Sequence, residues 1–442
     1  MLGSFGSSSS SRSHDEQDDN INEPPSSVVA PLPPPFQFHQ IQRRRTVFAS
    51  SSSSPPAIQM RQLLISCAEL ISRSDFSAAH RLISFLASNT SPIGDSSERL
   101  AHQFIRALSL RLHRSISAAA ASSVAPLPIP FPELQIASVE PPAGLVQSSY
   151  LSLNQVTPFI RFTHLTANQA ILEAIDDGQR HAIHILDLDV MHGVQWPPLM
   201  QALADRYPPP TLRITSTGND LDILRRTGDR LAKFAHSLGL RFQFHPLLVS
   251  NNEDDEDDGP PLSSVVLLPD ETLAVNCVLY LHRLLKNREK LTLFLHRIKA
   301  MSPKVVTVAE REANHNHPFF LQRFVEALDH YGVVFESLEA TLPPSSRERV
   351  AVEQVWFGRE IVDIVAAEGE KRKERHEKFR TWEVLLRSSG FSNVGLSPFA
   401  LSQAKLLLRL HYPSEGYQLR VIADSFFLGW QNHPLFSVSS WH

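Results

Sequence analysis

The chain has 442 residues, of which 42% are hydrophobic, and its 42 lysines and arginines against 46 aspartates and glutamates give a formal net charge of −4. A chain of this size can bury one large core or two adjoining cores, and its charge does not indicate a globally basic nucleic-acid-binding protein. The two cysteines, Cys67 and Cys277, exclude a disulfide framework and any zinc site built from several thiolates, and they suit a reducing cytosol or nucleus.

The N-terminal segment, residues 1–55, is rich in serine, proline and acids. It lacks a periodic apolar face and cannot offset the entropy cost of ordering, which predicts a disordered tail. It also lacks the apolar segment of a signal peptide, and no other run approaches the roughly 20 apolar residues that span a bilayer, so we expect no membrane association. Arg43, Arg44 and Arg45 form a short basic run, which is either a weak nuclear-import signal or a solvated basic spot.

Apolar residues recur at helical spacing in the segment that follows the tail. Capping-box pairs predict two helix starts, one at Asp95 with Glu98 and one at Thr166 with Gln169. The Ala-, Ser- and Pro-rich run over 115–132 predicts a loop. This part of the chain is therefore predicted to be an all-helical layer.

Short apolar runs alternate with helical segments after this layer. The runs AIHILDLDV, LRITSTG, RFQFHPLLV, TLAVNCVLYL and KVVTVAERE predict an α/β fold with a mostly parallel sheet and crossover helices. The acid-rich run over 251–261 interrupts a crossover, and we expect a solvated loop without a metal there. Further on, YQLRVIA and FFLGWQ flank Asp424 and Ser425, which predicts an antiparallel hairpin at the sheet edge.

The last residues of the chain are expected to dock onto the sheet. Trp430 and Trp441 flank the stretch QNHPLFSVSS, and each can bury a large ring while its indole N–H finds an acceptor. A chain terminus frays unless something docks it. We therefore predict that this tail folds back as the last part of the sheet and that Trp441 is structural.

Several motifs occur in order along the chain. His184, Ile185, Leu186 and Asp187 match the H-I-I-D core of a VHIID region, and AVNCVLYLHRLL matches a second leucine-rich segment. RVAVEQVWFGREIVDIVAAEGEKRKERHEKFR matches a PFYRE region, and the end of the chain matches a SAW region in which Ser-Ala-Trp is replaced by Ser-Ser-Trp. On these motifs the chain, from Ile58 to the last residue, resembles the plant-specific GRAS family of transcriptional regulators.

The resemblance implies a division of the chain into the tail and one GRAS domain. The implied segments are the GRAS domain over 56–442, with leucine repeat I in a helical cap over 56–115, the VHIID region over 150–215, leucine repeat II over 228–290, the PFYRE region over 300–385 and the SAW region over 386–442.

The resemblance also implies a fold and a role. The fold is a Rossmann-like core, with the topology of S-adenosylmethionine-dependent methyltransferases, under the N-terminal helical cap. The role is nuclear regulation of transcription through other transcription factors or co-regulators, with a homodimer or heterodimer through the helical cap as a candidate assembly. The short polar N terminus and MHGVQWPPLMQALADR are most similar to the Lateral suppressor (scarecrow-like) branch, which implies a role in initiating axillary meristems.

Three acids lie where open α/β sheets bind ligands. Asp187 and Asp189 end the first strand, and Asp220 follows the second. They could bind a small molecule, but turn acids usually bond nearby amides, so we favour acceptance of backbone N–H groups at the turn. The turn after the first strand holds a single glycine, Gly193, and is poorly built for a pyrophosphate. We therefore expect no cofactor.

Two further motifs have a structural and a functional interpretation. Leu281, Leu284 and Leu285 match the LxxLL helices that dock in hydrophobic grooves, but a helix packed on a sheet needs the same face, and burial is favoured. Arg359 and Glu360 are interpreted as a partly buried ion pair that fixes the fold, with a contact site as the alternative.

The remaining charged clusters carry no chemistry in our interpretation. In EGEKRKERHEKFR, alternating signs predict a solvated, self-paired helix face. Glu310, Glu312, His315 and His317 lie close in sequence, but without a recognisable ligand spacing, so we assign no metal to them. We find no Ser/His/Asp constellation and assign no catalytic residue.

The leading hypothesis is a non-enzymatic nuclear co-regulator that acts through protein contacts. The rival is a methyltransferase-like enzyme or a small-molecule sensor that uses the crevice near Asp187, Asp189 and Asp220. A direct, sequence-specific DNA-binding protein ranks lower, because no recognition helix or base-reading residue is evident. Contact with DNA is therefore expected to be indirect.

Overall fold

The computed structural model of the chain describes residues 57–121, 141–175, 182–249 and 260–442. The predicted tail over 1–55, with its three arginines, lies outside the described residues, as does most of the acid-rich loop. None of the helices in the described ranges is both long and apolar enough to cross a membrane.

The helices of the described residues form a layer before the first strand and a second set between and after the strands. They are α1 (Ala57–Ser72), α2 (Phe76–Ser88), α3 (Ser96–Ala121), α4 (Ala143–Val156), α5 (Pro158–Ala174), α6 (Trp196–Ala204), α7 (Leu221–Ser237), α8 (Leu281–Leu284), α9 (Arg288–Ala300), α10 (Phe320–Thr341), α11 (Arg347–Ala351), α12 (Gly358–Ala366), α13 (Phe379–Ser388) and α14 (Pro398–His411). A π-helical turn, Val352–Phe357, connects α11 to α12, and 3-10 turns span Leu262–Ser264 and Gly369–Lys371.

The layer α1–α5 confirms the predicted helical cap, with two corrections to its boundaries. Asp95 accepts the backbone N–H of Glu98 at 2.9 Å, so the first capping pair does start a helix. That helix, α3, continues to Ala121, beyond the predicted start of a loop. The second predicted start is wrong, because α5 begins at Pro158, and Thr166 lies buried in its interior. Proline at the first helical position costs no hydrogen bond, and this start outweighs the capping pattern.

The strands of the described residues form one sheet. They are β1 (Ala182–Asp187), β2 (Thr211–Gly218), β3 (Phe242–Leu248), β4 (Glu271–Val278), β5 (Val305–Arg311), β6 (Asn393–Val394), β7 (Tyr417–Ile422), β8 (Ser425–Trp430) and β9 (His433–Trp441). The strand order is β3-β2-β1-β4-β5-β9-β8-β7, with β6 paired to β9. Strands β1 to β5 are parallel in the order 3-2-1-4-5, which is that of the first five strands of the doubly wound fold and confirms the Rossmann-like core.

The C-terminal strand, β9, lies in the interior of the sheet and not at its edge. The hairpin of β7 and β8 lies at the edge, as predicted. The tail does join the sheet, but β9 inserts between β5 and β8, antiparallel to both. Trp441 is fully buried, pairs in register with Val306, and donates its indole N–H to Ser439 Oγ at 2.8 Å. Strand β5 pairs with β4 on one side and with β9 on the other. Without β9, the second side of β5 would be an open sheet edge.

A buried ion pair fixes the cap to the core. Arg99 of α3 makes two parallel hydrogen bonds to Glu353 of the π-helical turn, from Nε to Oε2 at 2.7 Å and from Nη2 to Oε1 at 3.0 Å. Both side chains are buried. Bidentate pairs are the strongest and most directional contacts of this type, so the orientation of the cap depends on this pair.

Replacement of Trp441 by alanine should destabilise the protein by about 3–5 kcal/mol, because it removes a fully buried ring and leaves a cavity. The change is measured by chemical denaturation. Phe399→Ala is the control, since Phe399 is 59% exposed and a surface substitution costs about 0.5 kcal/mol or less. Deletion of residues 430–442 should give insoluble or partly unfolded protein. A soluble truncation with an unchanged melting temperature and no partner binding would show that this segment is a contact surface.

Candidate functional site

A crevice of about 610 Å³ lies at the carboxyl ends of β1 and β2, where open α/β sheets bind ligands. It is lined by the turn after β1, the residues after β2, and Trp356, Arg359 and Glu374 from the C-terminal half of the chain. A second cavity, of about 680 Å³, lies at the amino ends of β4 and β5. We centre the site on the crevice of about 610 Å³, because open α/β sheets bind ligands at the carboxyl ends of their strands.

Side chains fill the turn after β1. Met191 and Gly193 both have left-handed backbone conformations, and a Cβ at Gly193 would lie 2.9 Å from the methyl group of Thr227. The glycine therefore serves a tight turn against α7. His192 lies 3.0 Å from the amide of Gln147 and contacts the ring of Tyr150 in α4. The turn thus packs against the cap, and its side chains take the room that a phosphate needs in nucleotide-binding folds.

Asp187 lies at the centre of a buried polar network. Its carboxylate accepts the indole N–H of Trp196 at 2.9 Å and the amide N–H of Asn276 at 3.0 Å. Gln195 bonds to both Asn276 and Asn168, which extends the network from β4 to α5. Burial raises the pKa of Asp187 to about 7, against the lowering effect of its hydrogen-bond donors. We expected backbone donors at the turn, whereas side chains from α6 and β4 make the main contacts.

Asp189 and Asp220 also have structural contacts. Asp189 accepts the backbone N–H of Met191 at 3.1 Å, as expected, and a hydrogen bond from Arg283 at 2.7 Å. Asp220 is the N-cap of α7 and accepts the N–H groups of Asp222 and Ile223 at 2.9 and 3.0 Å. Both line the crevice, but their oxygens already satisfy donors of the fold.

The other residues of the H-I-I-D core face the protein interior. Ile185 and Leu186 are fully buried and pack into the cores on opposite sides of the sheet. His184 is buried within the sheet, 2.8 Å from Thr215 Oγ1, and its Nδ1 accepts a hydrogen bond from Arg213 at 3.1 Å. Burial and then the charge of Arg213 lower the pKa of His184 to about 4. These residues build the sheet and do not line the crevice.

The LxxLL motif is buried. Leu281, Leu284 and Leu285 belong to the core that α8 forms with α9 and α13. Since α8 is only four residues long, the motif offers no exposed helical face for a groove. The favoured interpretation of burial is confirmed.

Arg359 and Glu360 do not form the predicted pair. Glu360 is buried and bonds to Arg311 of β5 at 2.6 Å and to the hydroxyl of Tyr331 at 2.8 Å. Arg359 lies over the ring of Trp356 and lines the crevice. Successive helix residues point about 100° apart, so one side chain faces the core and the other the cavity.

The charged run over 368–380 is not a solvated helix, so that prediction is wrong. After the 3-10 turn Gly369–Lys371 the chain is irregular up to α13. Arg372 and Arg375 are buried and bond to His315 O at 2.6 Å and to Asn316 Oδ1 at 3.1 Å. The alternating charges find partners in distant segments, and this long-range pairing leaves no local pattern to detect.

A cluster of buried histidines and glutamates lies beside the crevice. We call it the histidine cluster, and it consists of His282, Glu310, His315, Glu374 and His376. His282 Nδ1 is 2.7 Å from Glu310, and the Nε2 atoms of His282 and His376 are each 3.2 Å from Glu374 Oε2. Burial lowers the pKa of His282, but the charges of Glu310 and Glu374 raise it to about 9.

The histidine cluster differs from the set that we considered in the sequence. Glu310 and His315 belong to it, whereas Glu312 accepts the N–H of Phe379 at 2.9 Å, and His317 accepts that of Phe319 at 3.1 Å. Sequence analysis missed His282, Glu374 and His376, because they come from two motifs that we interpreted as a leucine-rich helix and a solvated charge run.

The fold and the crevice define the class: a doubly wound α/β domain under a helical cap, with a ligand-type crevice whose acids serve the fold. The model of the GRAS domain family matches residues 60–442. The chain therefore belongs to the GRAS family of plant developmental regulators.

Relatives support this assignment over most of the chain. Scarecrow-like protein 18 of Arabidopsis thaliana is 50% identical over 86% of this chain and 91% of its own length. Protein MONOCULM 1 of Oryza sativa subsp. japonica is 46% identical over 86% of this chain and 88% of its own length. The crystal structure of SCL7 from Oryza sativa covers 88% of this chain and 100% of that chain, with a TM-score of 0.69 and 34% identity. The first two place the chain in the Lateral suppressor-like branch.

The stability of the protein should depend on pH through Asp187. Because burial raises its pKa to about 7, the folded state binds a proton that the unfolded state releases near pH 4, and stability falls as pH rises through this window. Asp187→Asn removes this titration. The free energy of unfolding of the wild type, minus that of the variant, should fall by about 2–3 kcal/mol between pH 5 and pH 8.

The difference is measured by urea denaturation at several pH values. Trp196→Phe is the companion variant, since it removes a donor to the carboxylate and should extend the decline to higher pH. A wild-type-minus-Asn difference that stays constant from pH 5 to pH 8 would show that Asp187 is ionised throughout.

Proposed function

We propose that this protein is a nuclear transcriptional co-regulator that helps to initiate axillary meristems and acts through protein contacts of its GRAS domain. One observation carries the proposal: 46% identity over 88% of MONOCULM 1, a protein whose name denotes a single-stemmed plant. Family membership over residues 60–442 supports a regulatory role. Nuclear location follows from that role, and the Arg43–Arg45 run is a candidate import signal.

The crevice supports a scaffold role. The carboxylates of Asp187, Asp189 and Asp220 already satisfy donors from helices, strands and turns of the fold. A group that binds substrate must exchange such contacts for new ones, and at Asp187 each loss would leave a buried donor unpaired. In this proposal the crevice therefore shapes a recognition surface, and DNA is reached through partner proteins.

The cap offers a contact surface of its own. A groove of about 470 Å³ lies between α1, α3 and α10, lined by Ile58, Leu64, Leu100 and Val333 among others. Ile58 is 75% exposed at this groove. Apolar grooves between helices bind amphipathic helices. In this proposal a helix of a transcription factor, of a co-regulator or of a second GRAS domain docks here.

Ile58→Asp tests this surface. A charge buried in an apolar contact is costly, so capture of shoot proteins or self-association should weaken about ten-fold or more. Ile422→Asp is the matched control, because Ile422 is 50% exposed on the edge strand β7 and does not line the cap groove. Both variants should unfold within about 0.5 kcal/mol of the wild type. The measurements are light scattering and quantitative pull-down, and undiminished binding by Ile58→Asp would remove the cap groove from the proposal.

A small-molecule sensor or methyltransferase-like enzyme is the second candidate, favoured by the crevice volume of about 610 Å³, which is the size of a ligand pocket. Titration calorimetry with S-adenosylmethionine separates the two functions. We expect no binding, because the turn after β1 is filled by side chains. Binding at micromolar affinity would favour the second candidate.

A further inference from the structure

We propose that His282, Glu374 and His376 form a binding site for a divalent transition-metal ion, with Zn²⁺ as the expected occupant. Each offers one ligand atom, and the three atoms lie within 4.8 Å of one another. The site connects α8, which follows β4, to the irregular segment before α13, since His282 belongs to the first and Glu374 and His376 to the second. It is independent of the proposed regulatory function.

The two contacts to Glu374 have the distance of a hydrogen bond but not its geometry, so the two nitrogens are available to a metal ion. The Nε2 atoms of His282 and His376 each lie 3.2 Å from Glu374 Oε2, yet neither nitrogen has a hydrogen-bond partner of acceptable geometry, although both are buried. Zinc binds nitrogen and carboxylate oxygen at about 2.0–2.2 Å in a tetrahedron, which separates neighbouring ligand atoms by about 3.3–3.5 Å. The two separations of 3.2 Å between nitrogen and oxygen are close to this value, and the two Nε2 atoms lie within 4.8 Å of each other.

Neighbouring groups orient both imidazoles for this task. Glu310 lies 2.7 Å from His282 Nδ1 and would keep the proton there when Nε2 gives up its own proton to bind a metal. His315 Nδ1 lies 3.0 Å from His376 Nδ1 and can accept its proton in the same way. Metal-binding histidines almost always donate their other N–H to a carboxylate or a comparable acceptor.

The two carboxylates of the cluster, Glu310 and Glu374, also favour a bound cation. Among the described residues, neither Glu310 nor Glu374 contacts a lysine or an arginine. The nearby cations have other partners, since Arg283 pairs with Asp189 at 2.7 Å and Arg311 with Glu360 at 2.6 Å. A buried carboxylate is costly unless it is paired or coordinates a metal, and a bound dication would replace the imidazolium of His282 as the counter-charge of the two carboxylates.

The types of ligand favour zinc. Two imidazole nitrogens and one carboxylate oxygen suit zinc, and three protein ligands leave one position open. Glu374 lines the crevice, so the fourth ligand would be a water that enters from there. The same set also binds iron(II) in other proteins, and the experiment therefore identifies the metal.

The test measures metal in the full chain, produced without a polyhistidine tag, after incubation with Zn²⁺ and removal of excess ion. Elemental analysis should find about one zinc per chain, and Co²⁺ substitution should give the visible absorption of a tetrahedral site. His376→Ala and Glu374→Gln should each lower the zinc content at least about ten-fold. His411→Ala is the matched control, since His411 is exposed at the end of α14, and it should retain the wild-type content.

A third variant separates binding from folding. Glu310→Gln keeps all three ligands and should weaken zinc affinity by about 10–100-fold, because it changes only the group that orients His282. Zinc content below about 0.1 per chain in the folded wild type would overturn the proposal and leave a protonated His282 bridging two carboxylates. Content that is unchanged in folded Glu374→Gln would also overturn it. Iron at the same stoichiometry would overturn zinc as the occupant.

Discussion

A carboxylate that has no basic partner among the described residues lies at the centre of this fold. Asp187 ends β1 in a buried position, where a charge is costly unless hydrogen bonds compensate it. The indole of Trp196 and the amide of Asn276 provide those bonds. This requirement fixes the start of α6 and its distance from β4, and Gln195 extends it to α5 through Asn168. The turn between β1 and α6 is therefore held at both ends.

The same constraint explains why a fold of the nucleotide-binding type supports regulation. A phosphate site needs backbone N–H groups that face an open turn, whereas Met191 and His192 direct this turn toward α4 and the π-helical turn. The ion pair of Arg99 with Glu353 connects the cap to the π-helical turn. The crevice and the cap groove consequently belong to one connected framework, whose surfaces can present contacts to partner proteins.

The sequence by itself was sufficient for the class of fold. Short apolar runs that alternate with helical segments identified β1 to β5, and two runs that flank Asp424 and Ser425 identified the hairpin of β7 and β8. Apolar pattern also identified the buried leucines of α8 and the docking of Trp441, because burial of a large apolar side chain is favourable without a specific partner. The family motifs identified the GRAS domain, since they span most of the chain.

Only the tertiary structure decided which polar groups meet. Glu360 bonds to Arg311 rather than to its neighbour Arg359, and Arg372 is buried although its segment has the composition of a solvated helix. His282 and His376 come together from motifs with no sequence relation to each other. The physical reason is that the hydrophobic effect is non-directional and needs no particular partner, whereas a hydrogen bond or an ion pair requires two specific groups to meet. Which two polar groups come into contact is decided by how distant segments of the chain pack against each other.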